Sequence, residues 1–311
     1  MKKNQLEELV KKSSDDKVAN KNNFKIITSR NVFDYIENDE HSYEATYKNS
    51  IVRKLKKATN TKRKKDQNYS LKNTESNIVD VIDVSKYYLS GNKVTKVLKN
   101  VNLSIKRGEI IIIFGKSGSG KSILLNLISG LDRPSKGQVV VFDHNLPYLS
   151  DDQLTKFRRK YVSFIFQSYN LLQHLSGYDN VETGSYLQKD KSKKIDINEL
   201  FREYEIENIK DKFPAQMSGG QQQRISILRA LAKNADIIFA DEPTGALDEN
   251  TTKIVLESLY NINQKNNTTI VMVSHNPVIK PMADRIIYVN EGNISKIEVN
   301  QKRVHPKYIE I

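Results

Sequence analysis

Two kinds of hydrophobic pattern follow one another along most of the chain. Apolar and polar residues alternate in the runs IVDVIDV (78–84) and KNVNLSI (99–105), as they do in strands that are buried on one face. Apolar residues are nearly continuous in EIIIIF (109–114), DIIFAD (236–241) and TTIVMVS (268–274), which is typical of parallel strands covered on both faces. Helical stretches separate these runs, so the pattern predicts an α/β fold with a mostly parallel sheet.

The carboxyl ends of the parallel strands are the expected place for function. Ligands of such sheets collect at that edge, so residues that carry chemistry should directly follow the apolar runs. The run RIIYVNEGNISKI (285–297) predicts a closing hairpin, with its turn at Glu291, Gly292 and Asn293.

The first 77 residues have a different composition. They are rich in Asn, Lys and Ser, have no sustained apolar period, and contain 18 Lys and Arg against 11 Asp and Glu. Nine basic residues and no acidic one lie between Ala45 and Lys65. We predict a basic, mostly disordered extension over residues 1–77 with a short helix near SIVRKLKKA, a domain over 78–297, and a tail over 298–311. The basic run is either a solvated tail or a contact surface for anionic lipid headgroups or nucleic acid.

The overall composition excludes several classes of protein. The chain has 311 residues, a formal net charge of +13 and no cysteine, so disulfide frameworks, thiolate metal sites and cysteine nucleophiles are excluded. No run approaches the roughly 18 consecutive apolar residues of a membrane-spanning helix. The start, MKKNQLEELVKK, is charged where a signal peptide would be apolar. We therefore expect neither a leader nor a membrane span in this chain.

A phosphate-binding loop follows the EIIIIF run. The segment GKSGSGKS fits the pattern G-x-x-x-x-G-K-[ST] and stands between a predicted strand and the apolar helix SILLNLISG. Its glycines let backbone N–H groups surround phosphate oxygens, while the lysine reaches the β- and γ-phosphates and the last serine can ligate Mg²⁺. The predicted nucleotide-binding residues here are Gly115, Lys116, Ser117, Gly118, Ser119, Gly120, Lys121 and Ser122.

Paired carboxylates end the strand in ADIIFADEPTGALDE (235–249). Asp241 is placed to provide the second anchor for Mg²⁺, because a carboxylate at a strand end beside the phosphate loop is the usual partner of the loop serine. Glu242 is then placed to polarise the water that attacks the γ-phosphate.

A second helix start is also suited to an anion. Ser218 is a natural helix cap, and Gly219 and Gly220 leave the start of the following helix open. In isolation this pattern could be simple capping. Beside a phosphate-binding loop it indicates another half-site for the same nucleotide.

Taken together, these segments resemble the nucleotide-binding subunit of an ABC transporter. The resemblance rests on GKSGSGKS, Gln167 in FIFQSYNLL, MSGGQQQR, DEPTGALD and His275 in VMVSHN, in this order and spacing. The segments VLKNVNLSIKRGE, GLDRPSKG and LTKFRRKYVSFIFQ resemble the branch that includes lipoprotein-releasing, macrolide-exporter and cell-division ATPases. The resemblance covers roughly residues 78–297 and implies an ABC-type P-loop NTPase fold, with an antiparallel β subdomain and a helical subdomain beside the mostly parallel core.

The resemblance implies roles for four further residues. Tyr88 would stack on adenine, with Tyr87 as the neighbouring possibility. Gln167 would approach Mg²⁺ and the attacking water, and His275 would hold the γ-phosphate. Asp248 would lie at a dimer interface. ATP and Mg²⁺ are the implied ligands.

The resemblance also implies a second nucleotide-binding subunit, arranged head to tail with the first. Ser218, Gly219, Gly220 and Gln221 of one subunit would contact ATP bound by Lys121 of the other. Such a subunit would hydrolyse ATP, energise a separate transmembrane permease, and lie peripherally at the cytoplasmic face of the cell membrane. The working pair could be a homodimer or a heterodimer.

Three departures and two alternatives accompany this expectation. Met217 replaces the usual leucine before SGG, Ile123 stands where threonine is common, and the stretch 182–216 is short for a helical subdomain that docks on a permease. A soluble ABC-type ATPase acting on nucleic acid or ribosomes is the main alternative, but such chains usually carry two cassettes or a long coiled coil. A GTPase would need Asn-Lys-x-Asp, and the nearest match, residues 92–95, lacks the acid.

Overall fold

The computed structural model describes residues 18–19, 26–28, 32–33, 36, 45–74, 76–91, 93–245 and 247–310. The strands are β1 (Val18–Ala19), β2 (Ile26–Ile27), β3 (Ala45–Thr46), β4 (Asn77–Ser90), β5 (Lys93–Lys106), β6 (Ile110–Phe114), β7 (Lys136–Val141), β8 (His144–Asn145), β9 (Val162–Ile165), β10 (Ile237–Asp241), β11 (Thr269–Ser274), β12 (Arg285–Asn290) and β13 (Asn293–Val299). The α-helices are α1 (Asn49–Asn60), α2 (Lys121–Ile128), α3 (Asp151–Tyr161), α4 (Gly177–Leu187), α5 (Ile197–Glu203), α6 (Gly219–Ala232) and α7 (Glu249–Asn266). In the described part of the chain, no helix is long and apolar enough to cross a membrane.

The central sheet confirms the predicted parallel core. Its six strands run in the order β13-β12-β6-β11-β10-β9, and only the β12–β13 pair is antiparallel. Side chains of β6 alternate between two hydrophobic clusters, Ile110 and Ile112 in one and Ile111 and Ile113 in the other. The strand is therefore apolar throughout because both of its faces are covered.

Different layers cover the two faces of this sheet. Helix α2 and a five-stranded antiparallel sheet, ordered β3-β5-β4-β7-β8, share one cluster. Helices α6 and α7 pack in the cluster on the other face. The antiparallel β subdomain is thus confirmed, and it lies on the same face as the phosphate loop helix.

A small helical region connects β9 to α6. Helix α4 starts at a capping box made by Ser176 and Asp179, and α5 buries Leu200 and Phe201 in the cluster that also holds α6. At Gly184 of α4 an added Cβ would lie 2.1 Å from the carbonyl oxygen of Arg229, so only glycine allows this approach of α4 to α6. This region corresponds to the helical subdomain expected from the sequence.

The prediction of disorder is wrong for residues 45–74. The short helix expected near SIVRKLKKA is part of α1, and it buries Ile51, Val52 and Leu55. These three apolar residues fall at i, i+1 and i+4, so they lie on one face of the helix. The surrounding lysines conceal this narrow stripe in the composition. Apart from a few short pieces, the rest of the predicted extension lies outside the described residues.

Residues after α1 are fixed to the antiparallel sheet by polar contacts. The Arg63 backbone N–H donates to the Pro147 carbonyl at 2.9 Å, and the Tyr148 hydroxyl donates to Asp66 at 2.7 Å. The Asn145 amide donates to the Asn68 carbonyl at 2.7 Å. The folded domain therefore begins before residue 78, the boundary predicted from the sequence.

The predicted tail also packs on the domain. Pro306 and Ile309 are buried, and Ile309 joins the cluster that contains α7. The Val304 N–H donates to the Pro281 carbonyl at 2.9 Å, and Arg303 forms an ion pair with Asp284 at 3.2 Å. Residues 298–310 thus continue the fold instead of leaving it.

Candidate functional site

The phosphate loop lies between the end of β6 and the start of α2. Gly118 and Gly120 have φ values of +76° and +103°, a backbone conformation that side chains disfavour. At Gly115 an added Cβ would lie 2.2 Å from the carbonyl oxygen of Val289. Gly120 is also the N-cap of α2, and no described side chain caps this helix. Its first backbone N–H groups are thus available to an anion.

The β12–β13 hairpin contacts the phosphate loop through its turn. The Gly292 N–H donates to the Ser119 carbonyl at 3.1 Å, and the Gly292 carbonyl accepts from the Lys99 N–H at 2.9 Å. The hairpin itself was predicted, but its contact with the phosphate loop was not. Among the described residues the buried Ser119 hydroxyl has no hydrogen-bond partner.

Lys121 and Ser122 begin α2 and point to different partners. The buried Lys121 ammonium group donates to the Lys116 carbonyl at 2.8 Å, inside the loop. The Ser122 hydroxyl donates to Asp241 Oδ1 at 3.0 Å. Burial raises the pKa of Asp241, the neighbouring Glu242 raises it further, and the hydrogen bond from Ser122 opposes both effects. A hydroxyl and a carboxylate in contact form a pair of oxygen donors that suits Mg²⁺ when substrate phosphates complete the shell.

Three parallel strands bring the predicted catalytic side chains together. Gln167, Glu242 and His275 follow β9, β10 and β11, which are adjacent in the sheet. The Gln167 amide donates to Glu242 Oε2 at 3.3 Å, and His275 Nδ1 lies 3.1 Å from Glu242 Oε1. Glu242 adopts a left-handed φ of +47°, which is uncommon for a residue with a side chain. The order of the strands, not proximity in the sequence, assembles this group.

These groups surround one cavity with a volume of about 520 Å³. Of the predicted site residues, it contains most of the phosphate loop and all three catalytic candidates. Ile123, which sequence reasoning noted only as a departure, also contributes to the wall. The lining residues are Gly115, Lys116, Ser117, Gly118, Gly120, Lys121, Ser122, Ile123, Gln167, Glu242 and His275.

Tyr88 lies outside this lining and has a half-exposed ring. Its side chain is 42% exposed, whereas Tyr87 is 1% exposed, so of the two candidates only Tyr88 offers an accessible ring. The Tyr88 hydroxyl donates to Asp132 at 3.1 Å, and the Lys86 ammonium group pairs with the same carboxylate at 2.7 Å. Burial, together with Asp132, raises the pKa of Tyr88 to about 12, so the phenol stays neutral. Asp132 was not identified from the sequence.

The second helix start and Asp248 also lie away from the cavity. The Ser218 hydroxyl accepts from the Gln221 N–H at 3.3 Å, and the Gln221 side chain accepts from the Ser218 N–H at 2.9 Å, which completes a capping box. Ser218 and Gly219 are exposed. Asp248 caps α7, and hydrogen bonds from Thr251 hold its pKa below the usual range. The structure therefore does not bring Ser218, Gly219, Gly220, Gln221 or Asp248 to the cavity of their own subunit.

A second cavity, with a volume of about 580 Å³, lies beside α3, α4 and α6. Its wall combines apolar side chains of Leu131, Val162, Phe164, Phe166 and Leu187 with the cations Arg158, Arg159, Arg229 and Lys233. As described, the lining contains no carboxylate. Burial and the neighbouring arginines lower the pKa of Lys233 to about 8. The sequence analysis did not identify this groove of apolar and basic residues.

Comparison with known proteins agrees with this geometry. The family model "ABC transporter" matches residues 98–245. A putative ABC transporter ATP-binding protein of Mycoplasma pneumoniae is 44% identical over 84% of this chain and 55% of its own length. The macrolide export ATP-binding/permease protein MacB of Haemophilus ducreyi is 41% identical over 70% of this chain and 31% of its own length. The chain therefore spans about half the length of the first relative and less of the second.

A solved structure matches this chain over nearly the whole of its own length. The dimeric, post-hydrolysis structure of the ATP-binding cassette MJ0796 of Methanocaldococcus jannaschii, bound to ADP and Pi, is 38% identical. It superposes with a TM-score of 0.66 and covers 71% of this chain and 98% of its own. These matches confirm the resemblance and the branch inferred from the sequence. The chain belongs to the family of ABC transporter ATP-binding domains.

Proposed function

We propose that this chain binds ATP with Mg²⁺, hydrolyses it, and passes the released energy to a separate transmembrane permease. The observation that carries the proposal is the cavity of about 520 Å³. It joins an uncapped helix start, a buried lysine, and a glutamate contacted by Gln167 and His275. Each of these groups serves a different step of phosphoryl transfer.

The phosphate loop supports binding of the triphosphate. Backbone N–H groups at the start of α2 and the Lys121 ammonium group provide positive charge in a confined space. Ser122 and Asp241 would hold Mg²⁺, which when bound neutralises charge on the β- and γ-phosphates.

Glu242 is positioned to activate the attacking water. Its carboxylate can accept a hydrogen bond from water in the cavity and so orient the oxygen toward the γ-phosphate. Gln167 and His275 each contact one of its oxygens, and thereby fix the carboxylate between them. In this proposal His275 would also contact the γ-phosphate, and Gln167 would contact the metal and the water.

We propose further that two subunits share each ATP. The exposed helix start at Ser218, Gly219, Gly220 and Gln221 would meet the γ-phosphate held by Lys121 of the second subunit. Asp248, exposed at the start of α7, would lie in the same interface. The dimeric cassette MJ0796, solved with ADP and Pi, supports this arrangement.

The groove beside α3, α4 and α6 is the proposed docking site for the permease, at the cytoplasmic face of the membrane. Its apolar floor and its four cations fit a permease segment that carries apolar and acidic side chains. Phe166 in its wall directly precedes Gln167, so a partner in the groove would contact the same loop that reaches Glu242. The relatives named above are ATP-binding proteins of transporters, and so do not favour the alternative of an ATPase acting on ribosomes or nucleic acid.

The basic face of α1 is a proposed contact for anionic lipid. Arg53, Lys54, Lys56 and Lys57 are exposed, while the apolar face of the helix is buried against the protein. Binding would therefore be electrostatic, without insertion, at about 1 kcal/mol per cation near an anionic surface. Vesicles with phosphatidylserine should retain the protein at low salt and release it at high salt. Equal retention by phosphatidylcholine vesicles would contradict this.

The Glu242→Gln variant tests the central proposal. The amide cannot accept a proton, so we expect ATP binding without turnover and accumulation of a dimer that contains ATP, measured by ATPase assay and light scattering. Glu257→Gln on α7, outside the cavity lining, is the matched control and should turn over normally. Undiminished hydrolysis by Glu242→Gln would remove Glu242 from the catalytic role.

The same variant serves to identify the partner. Tagged Glu242→Gln protein, purified with ATP in mild detergent, should retain a multi-spanning membrane protein that is identified by mass spectrometry. Adding Arg159→Glu in the groove should release that protein, whereas Lys302→Glu, at an exposed residue outside the groove, should not. Retention of ribosomal proteins or nucleic acid would instead favour the alternative function.

A further inference from the structure

A compact pad from the N-terminal extension covers one side of the β4–β5 hairpin. We define the pad as the residues that pack there in one hydrophobic cluster: Val32, Ile36, Tyr47, Ile51, Val52 and Leu55. They enclose Tyr87 of β4 and Val94 of β5, which are 1% and 3% exposed. This cluster is separate from the two clusters that flank the central sheet.

The part of the hairpin under the pad extends beyond the pairing of β4 with β7. Pairing of β4 with β7 ends at Ser85, opposite Lys136, whereas β4 and β5 remain paired to Ser90 and Lys93. Two-stranded hairpins are only marginally stable without further packing. The pad supplies that packing, and β3 adds a third strand by pairing with Lys93 and Val94.

Polar contacts strengthen the connection. The buried Lys96 ammonium group donates to the Ile36 carbonyl at 2.8 Å, which ties the pad to β5 directly opposite Tyr87. The rings of Phe33 and Tyr87 lie 6.4 Å apart, and the Lys54 ammonium group lies 5.3 Å from the Phe33 ring. The pad is thus attached to the hairpin by apolar packing, backbone pairing and a buried hydrogen bond.

Tyr88 lies on the opposite face of the same hairpin. Neighbouring strand residues point to opposite faces, so burial of Tyr87 by the pad directs Tyr88 away from it. On that face the Tyr88 hydroxyl donates to Asp132, and the Lys86 ammonium group approaches the Tyr88 ring to 5.1 Å. The position of the ring therefore depends on both the Asp132 contact and the rigidity of the strand that carries it.

We propose that the pad positions Tyr88 and so sets the affinity of the site for the adenine base. The inference rests on the proposed function, in which Tyr88 stacks on adenine. The pad is a positioning element, since it touches no part of the cavity that would hold the phosphates. Without it, the hairpin would fluctuate and part of the stacking contact would be lost.

Leu55→Ala in the full chain tests the inference, because Leu55 is fully buried in the pad. Calorimetry would compare ATP with tripolyphosphate, which occupies the phosphate loop but has no base. We expect Tyr88→Ala to weaken ATP about tenfold, the scale of a lost base stack, and Leu55→Ala about threefold. Neither variant should change the affinity for tripolyphosphate. In the Tyr88→Ala background, Leu55→Ala should cause no further loss.

Leu200→Ala is the matched control, since it removes the same atoms from a buried site in α5, away from the hairpin. It should leave both affinities unchanged. If Leu55→Ala does not fold, Ile51→Val offers a milder change, read out as faster hydrogen exchange of amides 86–95 together with weaker ATP binding. Unchanged exchange in that variant would overturn the proposal.

The outcomes distinguish the proposed role of the pad from the proposed role of Tyr88. Equal weakening of ATP and tripolyphosphate by Leu55→Ala would show a general loss of structure and overturn the role of the pad. Weakening by Tyr88→Ala alone would overturn the pad proposal and preserve Tyr88. No effect of Tyr88→Ala on ATP would remove Tyr88 from the adenine site, and the pad proposal would fall with it.

Discussion

Two helices of this protein start at glycine-rich segments, yet their starts differ in capping and in exposure. Helix α2 has Gly120 as its N-cap, no described side chain caps it, and Lys121 behind it is buried in the cavity. Helix α6 has a complete capping box from Ser218 and Gln221 and is exposed. The first start is ready for a phosphate of its own subunit.

The difference shows what each helix start requires. The unpaired N–H groups of α2 need an anion, whereas those of α6 are already partly satisfied by a short side chain. In the proposed function, an anion at α6 would come from a second subunit and accept hydrogen bonds beside the capping serine. In the proposed function, the start of α2 determines whether ATP binds, and the start of α6 determines whether two subunits associate.

The largest effect is expected from Lys121→Ala at the α2 end. Loss of the ammonium group leaves the β- and γ-phosphates without their cation, so we expect ATP affinity to fall about a hundredfold, the scale of a strong charged hydrogen bond. Calorimetry with full-length protein measures this directly. Lys116→Ala, whose backbone carbonyl remains available to Lys121, should cost much less. Unchanged affinity in Lys121→Ala would contradict the assignment.

A matched pair of glycine substitutions should distinguish the role of the α2 start from that of the α6 start. Gly120→Ala places a side chain at φ +103° and a Cβ 2.9 Å from Leu98 Cδ2, so we expect about 1–3 kcal/mol of lost stability together with weak ATP binding. Thermal unfolding with and without ATP measures both effects. A variant that keeps wild-type stability and ATP affinity would show that the α2 end tolerates a side chain.

The second member of the pair is Gly219→Ala. Its Cβ would lie 2.9 Å from only the Tyr169 hydroxyl, at the far end of a side chain that can move, and alanine favours helix. We expect unchanged stability and ATP binding in the single subunit, with loss of the ATP-dependent dimer in light scattering when the substitution is combined with Glu242→Gln. A dimer of wild-type stability would remove this helix start from the subunit interface.

The two ends could be located from sequence because each is encoded locally. The glycines and lysine of the first lie within residues 115–122, and the capping serine and two glycines of the second lie within residues 218–220. The apolar runs that carry Asp241, Glu242 and His275 are also nearly continuous. The parallel order of β9, β10 and β11 then brings Gln167, Glu242 and His275 together, as the rule for strand ends predicts.

Contacts between distant segments could not be found in this way. Nothing near Tyr88 indicates Asp132 as its partner, and nothing near Ser119 indicates Gly292. The pad was not predicted for the same reason, because Leu55 is buried in a cluster that includes Tyr87 and Val94, more than thirty positions later in the chain. A basic composition correctly describes the exposed face of α1 and conceals the apolar stripe on the other face.

The smallest change separates the two roles of Ser218. Ser218→Asp keeps a good N-cap, so stability should remain near that of the wild type, but its carboxylate would repel a γ-phosphate presented by the second subunit. Ser218→Ala removes the cap and should cost about 1 kcal/mol of stability. We therefore expect Ser218→Asp, in the Glu242→Gln background, to lose more of the ATP-dependent dimer although it is the more stable variant. The opposite order, measured by thermal unfolding and light scattering, would mean that Ser218 acts only as a helix cap and that α6 does not meet the nucleotide.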